Sequence, residues 1–149
     1  MQINWSLKKF EELSPYELYE ILRLRSEVFV VEQNCVFLDQ DNKDQLCWHY
    51  SGYIENQLAA YVRILPAGIS YKEVSIGRVV TSPLFRRHGI GRLLMNNAVE
   101  ATKELFGNQP IKIGAQLYLQ QFYSSLGFII CSEIYLEDGI EHVEMILDA

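Results

Sequence analysis

The stretch VVTSPLFRRHGIGR, residues 79–92, carries more information about the fold than any other part of the chain. Its β-branched start predicts the end of a strand, and apolar residues at three- and four-residue spacing from Gly91 to Phe106 predict a helix. A helix that begins directly after a strand offers unpaired backbone N–H groups and a positive dipole end. Gly89 and Gly91 permit close backbone approach, and three arginines add positive charge. The sequence therefore predicts an anion site here, suited to a diphosphate.

Two common nucleotide-binding loops do not match this segment. A Walker loop requires Gly-Lys followed by Ser or Thr, and a Rossmann fingerprint requires a third glycine where Leu94 stands. A simpler interpretation is a plain strand-to-helix turn whose arginines form a solvated basic face. The turn alone fits both this interpretation and the anion site.

Composition narrows the class of protein. A chain of 149 residues with 49% hydrophobic residues fits one domain, 1–149, with an ordinary core. A net charge of −6 disfavours a general nucleic-acid binder. The chain shows neither a basic start followed by an apolar run nor an apolar stretch of membrane-spanning length. We therefore expect neither export nor a membrane partner. Cys35, Cys47 and Cys131 lack metal-site spacing, so we expect reduced thiols, no metal and a cytoplasmic location.

The remaining pattern predicts an α+β fold with a mostly antiparallel sheet flanked by helices. Ser14-Pro15-Tyr16-Glu17 predicts a capped helix start, and Asp138-Gly139 predicts a tight hairpin. The loop 32–45 is long and polar, as expected either of a loop over a site or of a plain surface excursion. The predicted strands are 3–8, 47–54, 58–65, 74–81, 111–115, 128–136 and 140–147, and the predicted helices are 15–31, 91–106 and 117–125.

Several motifs together resemble one family. Arg86-Arg87-His88-Gly89-Ile90-Gly91 resembles the R/Q-x-x-G-x-G/A pyrophosphate loop of the GNAT superfamily of N-acetyltransferases, and Phe122-Tyr123-Ser124-Ser125-Leu126-Gly127-Phe128 resembles its FYxxxGF segment. The resemblance covers nearly the whole chain, and residues 24–35, 76–83 and 137–145 resemble the ElaA-like branch. Two positions depart from the pattern: Arg87 stands where glycine is usual, and Gln116 where asparagine is common.

This resemblance implies a GNAT-like acyl-CoA N-acyltransferase fold and transfer of an acetyl group from acetyl-CoA, as cosubstrate, to an amine. It implies that backbone groups of Val79, Val80 and Thr81 hold the acyl arm, and that Gln116 contacts the cofactor. Tyr123 matches the position of the general acid. The diphosphate is expected on Arg86, Arg87, His88, Gly89, Ile90, Gly91 and Arg92.

The general base is not specified by the sequence. His142, His49, Glu32 and Glu73 are candidates. His142 is preferred because its segment, residues 139–145, resembles the ElaA-like ending, and because strand alternation puts it on one face with Ile140 and Glu144.

The acceptor is expected to be an amine-bearing small molecule or a protein amine, and a homodimer is compatible with the sequence. Acidic loop residues Asp39, Asp41 and Asp44 hint at a cationic acceptor, although loops are often acidic only to stay solvated. Arg25 and Arg78 lie in apolar patterns, so we expect each to pair with a carboxylate. The alternatives are a coenzyme A binding or sensing module without catalysis and a protein-interaction domain without a cofactor.

Overall fold

The computed structural model describes residues 2–149. Within this range, eight strands form one sheet, which three α-helices flank. The strands are β1 (Asn4–Lys9), β2 (Trp48–Ile54), β3 (Gln57–Leu65), β4 (Val74–Thr81), β5 (Ile111–Gln116), β6 (Ile129–Ile130), β7 (Tyr135–Glu137) and β8 (Ile140–Leu147). The helices are α1 (Pro15–Arg25), α2 (Ile90–Phe106) and α3 (Gln120–Ser125).

The strand order in the sheet is β1-β2-β3-β4-β5-β8-β6, with β7 pairing the other end of β8. Only β4 and β5 run parallel, and the other neighbouring strands of residues 2–149 are antiparallel. The predicted mostly antiparallel α+β fold is therefore confirmed.

The two faces of the sheet bury two separate apolar clusters. Along β3, Ala60, Val62 and Ile64 belong to the larger cluster, which α2 and α3 cover. Tyr61 points the opposite way and packs with Ile21 and other residues of α1. This alternation follows from the period of two along a strand, and it leaves nearly all of β3 buried.

The first helix begins as predicted but ends differently. Glu17 N donates to Ser14 Oγ and Ser14 N donates to Glu17 Oε1, which is the predicted capping box. The predicted single helix 15–31 is wrong beyond Arg25, because Ser26–Glu32 is a π-helix. The wider turn is visible in the backbone hydrogen bond that Gln33 N donates to the carbonyl oxygen of Val28, five residues earlier. Such π segments are frequent at functional sites, and this one borders the cleft described below.

The predicted strand 128–136 is also wrong as one element. β6 pairs up to Ile130↔Met145 and β7 resumes at Tyr135↔His142, so four residues, 131–134, oppose only two on β8. Inside this bulge, Ser132 Oγ accepts the Glu144 N–H at 2.8 Å in place of a backbone carbonyl. The predicted Asp-Gly hairpin turn is confirmed, with φ of 52° at Asp138 and 77° at Gly139.

Candidate active site

The anion loop, residues 82–92, connects the end of β4 to the first turn of α2. Gly89 is the N-cap at φ 70°, and no side chain caps the helix, so its first N–H groups are available to a ligand. The loop forms a concave surface around a pocket with a volume of about 330 Å³. Its lining consists of Thr81, Phe85, Arg86, Arg87, Gly89, Ile90, Gly91, Arg92 and Phe122. The structure thus brings the expected diphosphate residues together except His88, whose exposed side chain does not line this surface.

Arg87 has φ of 71°, in the left-handed region that glycine adopts without strain. The departure from the family pattern therefore falls on a backbone position where glycine is favoured. The chain keeps the turn in spite of the substitution, and Arg87 still lines the concave surface.

Two other arginines of the loop already have protein partners. Arg86 binds both carboxylate oxygens of Glu32 at 2.7 Å, and these hydrogen bonds hold the pKa of Glu32 below its usual range. Arg92 donates to Ser125 Oγ at 2.7 Å and lies over the Phe122 ring. Glu32, a candidate base, therefore orients Arg86 in this structure.

The sheet is split beside the loop. β4 and β5 pair only at Val74↔Ile111 and Ser75↔Lys112 within the described chain, and beyond these pairs the strands diverge. A bulge in β4 at Arg78, which has φ of 49°, accompanies the divergence. The resulting cleft has a volume of about 1230 Å³, and Val79, Val80 and Thr81 line it. Backbone groups of β4 that would otherwise bond β5 thus face the cleft.

Tyr123 lies on α3 in the wall of this cleft and is only 6% exposed. The rings of Phe122 and Phe128 pack edge-on against it, at centroid distances of 5.1 and 6.0 Å. Burial raises the pKa of the Tyr123 hydroxyl, so the phenol stays protonated at neutral pH. A protonated hydroxyl facing a cleft is the form that a general acid requires.

Gln116 and His142 form a cross-strand pair on β5 and β8, and both line the cleft. The Gln116 amide exchanges two hydrogen bonds with the Gln33 amide, at 3.2 and 3.3 Å, across the mouth of the split. His142 lines the cleft together with Ile140 and Glu144, as strand alternation predicts. The structure therefore brings Gln116 and His142 together in the cleft that Tyr123 also lines.

The other two candidate bases lie elsewhere. His49 is 1% exposed, and its ring nitrogens bond the Tyr61 hydroxyl at 2.7 Å and the Asp44 carbonyl at 2.9 Å. Burial lowers the pKa of His49, which keeps the ring neutral within the protein interior. Neither His49 nor Glu73 lines the cleft. Of the four candidate bases, the fold therefore brings His142 and Glu32 to the cleft and leaves His49 and Glu73 outside it.

A buried ion cluster attaches the loop 33–46 to the sheet through ion pairs. Its members are Arg25, Asp39, Asp41, Asp44, Arg63 and Arg78, joined by ion pairs of 2.5 to 3.4 Å. The expected carboxylate partners of Arg25 and Arg78 are confirmed. Asp39, Asp41 and Asp44, which hinted at a cationic acceptor, are each bound by an arginine side chain of the protein itself. Arg63, inside the apolar run of β3, is the member that sequence reasoning missed.

Sequence reasoning also missed a pair of tyrosines in the cleft. A Cβ on Gly114 of β5 would lie 2.7 Å from the Tyr71 hydroxyl and 3.1 Å from the Tyr135 hydroxyl, so both rings converge over this glycine. Glu144, opposite Gly114 on β8, forms an ion pair with Lys112 at 3.1 Å. The sequence signal that could have predicted this approach was Gly114, because an isolated glycine in a strand is typical of close approach by another group.

Comparisons with known proteins agree with this geometry. The family model of the acetyltransferase (GNAT) domain matches residues 27–149. Protein ElaA of Escherichia coli is 41% identical over 145 residues, which cover 96% of this chain and 95% of that protein. The crystal structure of E. coli ElaA has a TM-score of 0.92 at 40% identity, over 99% of this chain and 100% of that one.

Two further crystal structures share the fold. An acyl-CoA N-acyltransferase from Pseudomonas aeruginosa has a TM-score of 0.93 at 38% identity, covering 98% of this chain and 99% of that one. A GNAT family acetyltransferase from Elizabethkingia anophelis with acetyl-CoA bound has a TM-score of 0.66 at 17% identity, covering 99% and 98%. The fold and the split sheet define the class as an acyltransferase of the acyl-CoA type. Within this class, the chain belongs to the GNAT family, in its ElaA-like branch.

Across residues 2–149, no helix combines the length and the apolar character needed to cross a membrane.

Proposed function

We propose that the protein transfers an acetyl group from acetyl-CoA to an amine by direct attack within a ternary complex. The observation that carries this proposal is the continuity of the anion loop with the split between β4 and β5. Thr81, Arg86, Gly91 and Phe122 line both the concave surface of the loop and the cleft. A single elongated ligand with a diphosphate at one end and a thioester at the other fits such a surface. The acetyl-CoA bound to the E. anophelis relative supports this choice of donor.

Binding is assigned to backbone groups and arginines. The free edge of β4 at Val79 to Thr81 offers hydrogen bonds to the amides of an extended acyl arm, as an added strand would. The helix N-terminus after Gly89 and the Arg92 guanidinium offer donors and positive charge to the diphosphate. Arg86 joins them when a phosphate replaces Glu32 as its partner.

The reaction requires one proton to leave the amine and one to reach the sulfur. The amine nitrogen forms a bond to the acetyl carbon, and backbone N–H groups of β4 stabilise the resulting oxyanion. Collapse of the intermediate breaks the carbon–sulfur bond, and the Tyr123 hydroxyl gives its proton to the departing thiolate. His142 takes the proton from the amine, since it is the candidate base whose ring lies in the cleft on the strand next to β5.

The acceptor is proposed to be a small amine or a protein amine, and the working location to be the cytoplasm. Cys35, Cys47 and Cys131 are all unpaired thiols, which supports a reducing compartment.

The test combines binding with turnover. Coenzyme A should raise the melting temperature, and acetyl-CoA with a panel of primary amines should release coenzyme A, measured by chromatography. Tyr123→Phe should lower kcat by about 10²-fold with little change in the coenzyme A effect on melting. Tyr19→Phe, on an exposed tyrosine of α1, serves as the matched control and should leave both unchanged.

Three outcomes would contradict parts of this proposal. Full turnover by Tyr123→Phe would remove Tyr123 as the acid. Stabilisation by coenzyme A without turnover on any amine would favour a binding or sensing module. A melting temperature that saturating coenzyme A leaves unchanged would favour an interaction domain without a cofactor.

A further inference from the structure

We infer that Glu137 is a positioning residue that completes a His142–Glu137 dyad and carries the acceptor's proton from the cleft to solvent. The inference rests on the proposed acyl transfer, in which His142 is the base, and it assigns a role to a carboxylate that the family pattern did not single out.

The turn between β7 and β8 creates the dyad. Glu137 pairs with Ile140, and Tyr135 pairs with His142, across the two-residue Asp138-Gly139 turn. Alternate residues of a strand share a face, so Glu137 and His142 become diagonal neighbours on one side of the hairpin. The short turn thus fixes the carboxylate beside the imidazole through local geometry.

The hydrogen bonds of His142 define which nitrogen is the base. Nδ1 lies 2.8 Å from the Ile140 carbonyl oxygen, which can only accept, so Nδ1 carries a proton and donates it. In the neutral ring, Nε2 therefore holds the lone pair. Nε2 lies 3.6 Å from Glu137 Oε2, which is longer than a hydrogen bond. The Tyr135 ring stacks on the imidazole with centroids 5.8 Å apart and holds its plane.

The two partners differ sharply in exposure. The side chain of His142 is 8% exposed and lines the cleft, whereas that of Glu137 is 59% exposed. When the amine gives its proton to Nε2, the nearby Glu137 carboxylate stabilises the imidazolium; once the acetylated product has left, the exposed Glu137 side chain can move into hydrogen-bond distance and accept from the new N–H. The exposed carboxylate then passes the proton to water and the ring returns to its basic form, while water returns one proton to the Tyr123 phenolate, so both groups are ready for the next cycle.

Besides Glu137, the elements packed around the ring carry other ionisable groups. Glu144, two residues along β8, is held by Lys112 of β5. Tyr135 on β7 and Tyr71 before β4 both have their pKa raised by burial, so they stay protonated. The turn also carries Asp138, whose backbone carbonyl accepts from the Cys35 thiol. Glu141 lies on the opposite, exposed face of β8.

The experiment compares kcat and KM at saturating amine, with the best primary amine of the panel. Glu137→Gln removes the carboxylate that stabilises the imidazolium and should lower kcat about tenfold. KM for acetyl-CoA should stay unchanged. Glu137→Asp should recover much of the loss, and Glu141→Gln is the matched control.

Each outcome has a defined meaning. A lower kcat with unchanged KM in Glu137→Gln, partial recovery in Glu137→Asp and wild-type kcat in Glu141→Gln support the dyad. Equal kcat values for the two glutamine variants overturn the role of Glu137 while leaving acyl transfer intact. Full activity of His142→Gln overturns the dyad together with the choice of base. Failure of the wild-type protein to acetylate any amine refutes the proposed function itself, which separates that failure from failure of the dyad.

Discussion

Replacing Arg25 by methionine tests how much the buried ion cluster contributes to stability. Arg25 is fully buried and binds Asp39 at 2.8 Å and Asp44 at 2.8 and 3.2 Å. Breaking a buried ion pair by removing one partner costs about 3–5 kcal/mol, because it leaves an uncompensated charge in the interior. The three aspartates would then face two arginines. Since Asp39 keeps Arg78 and Asp44 keeps Arg63, we expect the lower end of the range, about 3 kcal/mol.

Urea unfolding followed by the fluorescence of Trp5 and Trp48 measures this loss. A cost of about 3 kcal/mol corresponds to a fall in Tm of about 6–12 °C for a chain of this size. Arg23→Met is the matched control, since Arg23 lies on the same helix and forms an exposed pair with Glu27 at 3.5 Å. Its loss should cost less than about 0.5 kcal/mol. If Arg25→Met costs no more than Arg23→Met, the cluster is effectively solvated and the reasoning fails.

Three further predictions concern acid stability, packing and thiol reactivity. Burial alone would raise the pKa of Asp41, but arginines of the ion cluster hold it well below its usual range, so the free energy of unfolding should fall as the pH drops below about 4; Asp41→Asn should flatten this acid limb in urea titrations. Gly52→Ala puts a Cβ 2.6 Å from the Trp5 ring and should cost about 1–3 kcal/mol in the same assay, whereas an unchanged midpoint would mean that the ring moves freely. Burial raises the pKa of Cys47 to about 11 and also raises that of Cys131, but only Cys131 is exposed, so at pH 8 an alkylating reagent should label Cys131 before Cys47; equal labelling in peptide mass spectrometry would contradict this.

The features predicted correctly from the sequence are those set by a few neighbouring residues. The capping box of Ser14 and Glu17 and the turn at Asp138-Gly139 depend on side chains and backbone angles within four residues. The strand-to-helix junction at Gly89 is local in the same sense. Local chemistry was therefore enough to place the anion loop and most boundaries of the sheet and helices.

The features that were missed depend on residues far apart in the chain. Arg78 and Asp39 are 39 residues apart, and Gln33 and Gln116 are 83 apart, so neither partner is visible from the other's neighbourhood. The loop aspartates illustrate the problem. The local sequence of an acidic loop does not show whether its carboxylates are solvated or bound by arginines from elsewhere in the chain. The bulge at residues 131–134 also depends on a partner, since the opposite strand supplies the Glu144 N–H that the Ser132 hydroxyl accepts.

The two β4–β5 residue pairs have a mechanical consequence. They act as a hinge near one corner of the sheet, with β1 to β4 forming one plate and β5 to β8 the other. The Arg–Asp contacts stiffen the first plate alone, because their residues all come from positions 25–78. A ligand that forms hydrogen bonds with the free edge of β4 and also contacts Gln116 on β5 would bind both plates at once. It would thereby fix the opening angle between them. Donor binding would then set the distance between the free edge of β4 and the residues following β5 that line the cleft, among them Tyr123 on α3 and His142 on β8.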